Sequence, residues 1–373
     1  MSPSSCTVAI LGATGLVGQH LIAILEARRF FDRFEHFTLK PLASERSQGQ
    51  TVRFNGQDVA VQLAQPDAFD NVDLVLASAG GSVSAALVPE AVKRGAVVVD
   101  NTSHFRMDET VPLVVAGVND DALQGHHGII ANPNCSTAQL MPVLKALHEA
   151  AGLKRVIVST YQSVSGAGKE GMDALWRETQ AMTDDPDAVP GKPSLDGASS
   201  ITSPFSQPIA FNLIPMIDVL MDGSQEDFCD GAALGYSKEE WKLIVETRKI
   251  LNLPKLPITA TAVRVPVMVG HSESVTVDLE RALSPEQAAQ ILEKLPEVIV
   301  SAALSSDFPT PRQAAGQDPV YVGRLRRDTS NPETGLSFWV VADNLRIGAA
   351  LNAVRIAERL VDMRLLKAAC EVH

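Results

Sequence analysis

The segment "CTVAILGATGLVGQHLIAILEA", residues 6–27, constrains the fold more than any other part of the chain. A continuous apolar run leads into glycines at 12, 15 and 18, after which Leu16, Ile22 and Leu25 follow helical spacing. This is a strand, a tight turn and a helix. Glycines placed in this way let backbone amides and a helix N-terminus approach a pyrophosphate without interference from Cβ atoms. A turn that needs glycine only for close strand-to-helix packing would look the same, and the segment alone leaves both readings open.

Further strands are expected at "HFTLKPLAS", "VDLVLAS" and "AVVVD", with "SVSAALVPEAVKRG" as a helix between the last two. Apolar strands alternating with helices predict a doubly wound parallel sheet buried on both faces. After Cys135 the texture changes. "RVIVSTYQSVSG", "ATAVRVPV" and "ESVTVDLE" are longer alternating strands that suit an antiparallel sheet with one solvated or partner-facing side. The expected fold class is therefore α/β: a Rossmann-type domain plus an α+β domain with a mainly antiparallel sheet. A chain of 373 residues also exceeds what one hydrophobic core usually serves. "TDDPDAVPGKPSLDGASSITSP" is rich in turn formers and is expected to be a loop excursion, and "ADNLRIGAALNAVRIAERLVDMRLL" carries a helical stripe able to return to the first sheet.

A net charge of -12 disfavours nucleic acid or anionic membrane as partners, so any bound anion needs a local basic cluster. No Lys or Arg precedes Arg28, which argues against a secretory signal, and no apolar run approaches bilayer length. Cys6, Cys135, Cys229 and Cys370 form no metal-ligand spacing, so no metal is expected, and a reducing cytoplasm is the expected compartment.

Two features carry chemistry. In "LASERSQG", Ser44, Arg46 and Ser47 stand where an NAD site usually has a lone acid. A guanidinium with two hydroxyls suits a 2′-phosphate and makes NADP the expected cofactor; Glu45 weakens the pattern, and a solvated charged turn is the alternative. In "NPNCST", Cys135 sits where a helix should begin, with Ser136 and Thr137 as cap-type residues. A helix N-terminus favours a thiolate and offers amides to a developing oxyanion. An inert buried thiol is the alternative, and Pro142 would interrupt the helix's bonding. Among the eight histidines, His271 has the informative setting, "RVPVMVGHSE". Arg264 and His271 would face opposite ways on one unbroken strand, but Pro266 and Gly270 make a break expected.

Taken together, Gly12-Ala-Thr-Gly15-Leu-Val-Gly18, "NPNCST", "YQSVSGAG", "QPIAFNLIP", "EEWK", "RVPVMVGHSES" and "DNLRIGAALNA" resemble the aspartate-β-semialdehyde dehydrogenase family along nearly the whole chain. The resemblance implies Cys135 as nucleophile, His271 as acid/base and Gln162 as the group orienting the covalent intermediate. It implies Arg264 on the substrate carboxylate, Glu239 on its amine, Arg106 and Lys242 on phosphate, and Asn134 beside the nucleophile. It implies NADP held by Gly12, Ala13, Thr14, Gly15, Leu16, Val17, Ser44, Arg46, Ser47, Ser165, Gly166 and Asn344. Residues 1–134, completed by 345–373, would bind NADP, and residues 135–344 would form the catalytic and dimerisation domain of a homodimer. The implied partners are a small-molecule substrate and inorganic phosphate. Family members commonly read P-E-V-N where this chain has Ala116-Gly117-Val118-Asn119, and Arg355 replaces a common glutamine. N-acetyl-γ-glutamyl-phosphate reductase shares the glycine turn and the cysteine, but its cysteine is typically followed by Tyr-Pro-Thr. A silent nucleotide-binding paralogue would be expected to lose the nucleophile or the base.

Overall fold

The computed structural model describes residues 5–183, 202–221 and 234–366. The polar stretch expected as a loop lies mostly outside the described residues. The chain divides into two compact units, Met1–Met141 with Lys249–Leu251 and Arg346–His373, and Pro142–Arg248 with Asn252–Leu345.

In the first unit, β1 (Ser5–Leu11), β2 (His36–Ala43), β5 (Gln62–Leu63), β6 (Leu74–Ala77), β7 (Val97–Asp100) and β8 (Ile129–Ala131) form one sheet in the order β5-β2-β1-β6-β7-β8. Every pairing in it is parallel. A small antiparallel pair, β3 (Thr51–Phe54) and β4 (Gln57–Ala60), lies between β2 and β5 in the chain. The helices α1 (Leu16–Ala27) and α2 (Gly81–Lys93) make the crossovers. The central strands β6 and β7 are buried along their whole length, as a parallel sheet covered on both faces requires. The order reverses between β1 and β6, which places a ligand crevice at the carboxyl ends of these two strands. Helix α3 (Cys135–Ala151) follows β8, and the division between the units falls within it, after Met141.

The second unit contains β9 (Leu153–Gln162), α4 (Gly168–Thr183), α5 (Lys238–Leu251, of which Lys249–Leu251 group with the first unit), β10 (Ile258–Arg264), β11 (His271–Leu279), α6 (Pro285–Leu292), β12 (Val298–Val300), α7 (Pro311–Ala314), β13 (Val320–Arg327) and β14 (Gly335–Ala342). Its sheet has the order β10-β9-β11-β14-β13-β12. This sheet is mixed, mostly antiparallel as expected, but β10 runs parallel to β9 and β12 parallel to β13. The chain reaches β10 through a long connection containing α5, so no hairpin forces it to run opposite to β9.

The end of the chain returns to the first unit through a π-helical turn, Arg346–Ala350, and then α8 (Leu351–Asp362). Along α8, Leu351, Val354, Ile356 and Leu360 are buried, and Glu358 takes a two-pronged contact from Arg28 at 2.9 and 2.7 Å. Asn352 secures the sheet end by accepting from the Ala116 amide and donating to the Val114 carbonyl and to Asn132 Oδ1. Gly117, beside it, has a φ of +84°, a backbone region that favours glycine.

Candidate active site

In the first unit the glycine turn leaves β1 at the switch point. Gly12 has a φ of +91°, and a Cβ there would lie 2.6 Å from the Ser78 carbonyl oxygen after β6. Gly18 packs directly on the Gly12 carbonyl. Two of the three glycines are therefore required by packing. Gly15 is exposed, with only the Gly12 carbonyl near an added Cβ, and it stands just before α1. The first-turn amides of Leu16 and Val17 have no carbonyl within their own helix to donate to. Ala13 is buried, and Thr14 meets Ser47 hydroxyl to hydroxyl at 3.0 Å, which brings the glycine turn against the "SERS" loop. Ser44 and Arg46 are exposed on that loop. An anion-ready helix start, a turn closed to Cβ atoms and a cation beside two hydroxyls fit a phosphorylated dinucleotide.

Cys135 opens α3 in the same unit, but the cap is Asn134 rather than Ser136 or Thr137. Asn134 Oδ1 accepts from the amides of Ser136 at 2.9 Å and Thr137 at 3.4 Å. Two of the amides at this helix start are thus engaged by the cap. The helix continues through Pro142, whose missing N–H costs one bond without ending it. Gly348, in the π-helical turn, presses on Cys135: a Cβ there would lie 2.5 Å from Cys135 Cβ. Cys6, in contrast, is buried in β1, and its thiol is pushed up to about 12, chiefly by burial.

Arg106 reaches the carbonyls that follow β7 and β8. Its Nη2 donates to the Asn101 carbonyl and its Nε to the Asn132 carbonyl, both at 2.8 Å. Asp108 turns instead to the amide and hydroxyl of Thr110. Lys249 Nζ donates to the carbonyls of Arg106, Asp108 and Val111, and so holds the loop that carries Arg106.

In the second unit three neighbouring strands bring the remaining candidates into a row. Gln162 ends β9, Arg264 ends β10 directly beside it, and His271 begins β11 on the other side. Arg264 and His271 thus lie on different strands, joined by residues 265–270, which is the break that Pro266 and Gly270 predicted. All three side chains are buried. Gln162 Nε2 donates to Glu239 Oε1 at 3.1 Å, and Lys242, one turn along α5, pairs with Glu239 at 3.3 Å and Asp218 at 3.0 Å. Arg264 Nη1 donates to the Ser163 carbonyl at 2.7 Å, and its guanidinium lies over the Phe205 ring. His271 Nδ1 accepts from the Ser163 amide at 3.1 Å. Burial, reinforced by the Arg264 charge, holds the His271 imidazolium well below its usual range. Gly166 lies against both heads, since a Cβ there would be 2.8 Å from Arg264 Nη1 and 3.3 Å from His271 Nε2. Asn344 Oδ1 accepts from Ser163, Ser165 and the Gly270 amide, tying together the two loops behind the histidine.

Two family models match the chain: the semialdehyde dehydrogenase NAD binding domain over residues 7–126 and the semialdehyde dehydrogenase dimerisation domain over residues 144–347. The aspartate-semialdehyde dehydrogenase of Bacillus subtilis is 46% identical over 361 residues, covering 96% of this chain and 98% of that protein. The chain belongs to the aspartate-semialdehyde dehydrogenase family. Among solved family structures, Vibrio cholerae aspartate semialdehyde dehydrogenase II complexed with ASA has a TM-score of 0.86 at 45% identity, covering 96% of this chain and 98% of that one. The Candida albicans family member with NADP has a TM-score of 0.70 at 26% identity, covering 96% and 98%. The expected pairing of a Rossmann-type domain with a mainly antiparallel one is the architecture of this family member. Among the described residues, no helix is long and apolar enough to cross a membrane.

Sequence reasoning missed several neighbours of these groups. Ser163 lay within "YQSVSGAG", but it acts here through its main chain, which no side-chain pattern reveals. Asp218, Phe205 and Lys249 come from distant segments, and nothing local marked them. Gly348 lay in a quoted motif without any sign of its contact with Cys135.

Proposed function

We propose that this chain is an NADP-dependent, phosphorylating aspartate-semialdehyde dehydrogenase, interconverting L-aspartyl 4-phosphate and L-aspartate 4-semialdehyde in amino-acid biosynthesis. The observation that carries this reading is the row of Gln162, Arg264 and His271 across three adjacent strands, backed by Glu239 and Lys242. Such a set can grip a small amino acid by its carboxylate and amine while a histidine attends its carbonyl. Cys135 at a helix start supplies the nucleophile.

In the oxidative direction Cys135 Sγ attacks the aldehyde carbon, and Gln162 orients the covalent intermediate. Arg264 takes the α-carboxylate through its guanidinium fork and Glu239 takes the amine. His271 handles the proton of the carbonyl oxygen through its imidazole. Arg106 and Lys242 bind phosphate, which cleaves the thioester to the acyl phosphate, and Asn134 holds the start of the nucleophile's helix. Gly12, Ala13, Thr14, Gly15, Leu16, Val17, Ser44, Arg46, Ser47, Ser165, Gly166 and Asn344 hold NADP. When bound, NADP supplies the hydride chemistry. Residues 1–134 with 345–373 are the nucleotide-binding domain and residues 135–344 the catalytic one, in a cytoplasmic homodimer; the match to a dimerisation-domain model supports the dimer.

The test follows NADPH formation with aspartate semialdehyde and with N-acetylglutamate semialdehyde, each with and without phosphate. Phosphate-dependent turnover of the first alone is expected, and its loss in Cys135→Ser with cofactor binding retained. Preference for the second substrate, or undiminished turnover in Cys135→Ser, would overturn the reading.

A further inference from the structure

Ser163 follows β9 in extended backbone, with φ −64° and ψ 155°. Its amide donates to His271 Nδ1 at 3.1 Å, while its carbonyl accepts from Arg264 Nη1 at 2.7 Å. One residue's main chain thus braces both charged-site heads. An amide carries a proton and can only donate. The nitrogen it faces must present a lone pair, so a neutral imidazole keeps its single proton on Nε2. The Ser163 hydroxyl, also 3.1 Å from Nδ1, does not decide the matter, because it can give or receive and has Ser165 Oγ and Asn344 Oδ1 as other partners. Burial and the Arg264 charge disfavour a second proton on the ring, and together they outweigh the Gly270 backbone contact, which favours one.

The geometry points to the Ser163 main chain as the positioning element that fixes His271 in its Nε2–H tautomer, so that His271 meets the substrate carbonyl with an N–H group. This rests on the proposed reading that Cys135 adds to a carbonyl. When the Cys135 thiolate attacks the aldehyde, the C–S bond forms and the carbonyl π pair moves onto oxygen. No proton is gained or lost in that step. The oxygen needs a donor, and two of the helix-start amides, those of Ser136 and Thr137, also serve Asn134. An Nε2–H group supplies that donor from a neutral ring.

The test is long-range proton–nitrogen NMR of the full chain labelled with ¹⁵N-histidine, with His271 assigned by its loss in His271→Asn. At neutral pH, Nδ1 should resonate as an unprotonated nitrogen and Nε2 as a protonated one. The pattern should persist in Ser163→Ala, which keeps the amide and removes the hydroxyl. A protonated Nδ1 would overturn the proposal, and so would a tautomer change in Ser163→Ala. In turnover, His271→Gln keeps an N–H near the Nε2 position but cannot take up a proton. It should exceed His271→Asn by about 10-fold or more, a part of the roughly 100- to 1,000-fold that one oxyanion donor supplies. Equal losses in both variants would remove the donor role. The NMR readout is independent of turnover, so inactivity toward aspartate semialdehyde would defeat the proposed function while leaving the tautomer assignment to be judged on the spectrum.

Discussion

Replacing Arg264 with lysine tests the substrate grip most directly. Arg264 is 6% exposed, and its guanidinium gives Nη1 to the Ser163 carbonyl at 2.7 Å and lies 5.7 Å over the Phe205 ring centroid. A guanidinium can clamp a carboxylate with two parallel bonds. A lysine that kept the Ser163 contact would present a compact ammonium in place of that fork. The variant then loses about one charge-assisted bond, worth about 1.5–3 kcal/mol, and about 1 kcal/mol of ring contact. Allowing for partial compensation, a loss of about 2–4 kcal/mol converts to roughly 30- to 700-fold. Steady-state kinetics at saturating NADP and phosphate should show this as a raised KM for aspartate semialdehyde, with a smaller change in kcat. The KM values for NADP and phosphate serve as controls, and a thermal melt confirms folding. A folded variant whose semialdehyde KM stays within about 3-fold of the parent would refute the clamp, because that leaves less than about 0.7 kcal/mol for the fork.

Four other outcomes are expected. Arg46→Ala should erase most of a preference for NADP over NAD, by about 10- to 100-fold for a charge-assisted contact, and equal use of both cofactors by the parent would contradict the 2′-phosphate assignment. Arg106→Ala and Lys242→Ala should raise the phosphate KM far more than that for NADP, with the larger effect at Arg106, because Asp218 and Glu239 already offset Lys242; an unaltered phosphate dependence in both would place the anion elsewhere. Gly348→Ala would put a methyl group against Cys135 and should destabilise by about 1–3 kcal/mol while slowing turnover; parent-like melting and activity would show that the contact relaxes without cost. His271 and His126 both have depressed folded-state values, chiefly through burial, so the unfolded chain takes up protons first. Their contribution to stability is present above the unfolded value of about 6.5 and is lost as pH falls below it; denaturant midpoints that stay flat from about pH 7.5 to 5.5 would contradict this.

Local chemistry in the sequence was enough to determine the glycine turn after β1, the helix beginning at Cys135 and the alternating strands of the second unit. These depend on spacing between near neighbours, such as Gly12 to Gly18 or the inward residues of β9, which any stretch of chain displays without its partners. The choice of cap was also local, yet "NCST" offered three competing oxygens, and only the built helix showed Asn134 taking the amides. Long-range placement belonged to the tertiary structure. Gln162 and Arg264 are about a hundred residues apart, and they become neighbours only because β10 pairs parallel to β9 in one register; a slip of one residue would turn Arg264 to the other face. His271 joins them from the opposite flank through an antiparallel pairing that no pattern within "VGHSES" encodes. The main-chain contacts of Ser163 exist only once all three strands are in place, because a backbone amide has no residue-specific signature and its partner is decided by where the fold puts it.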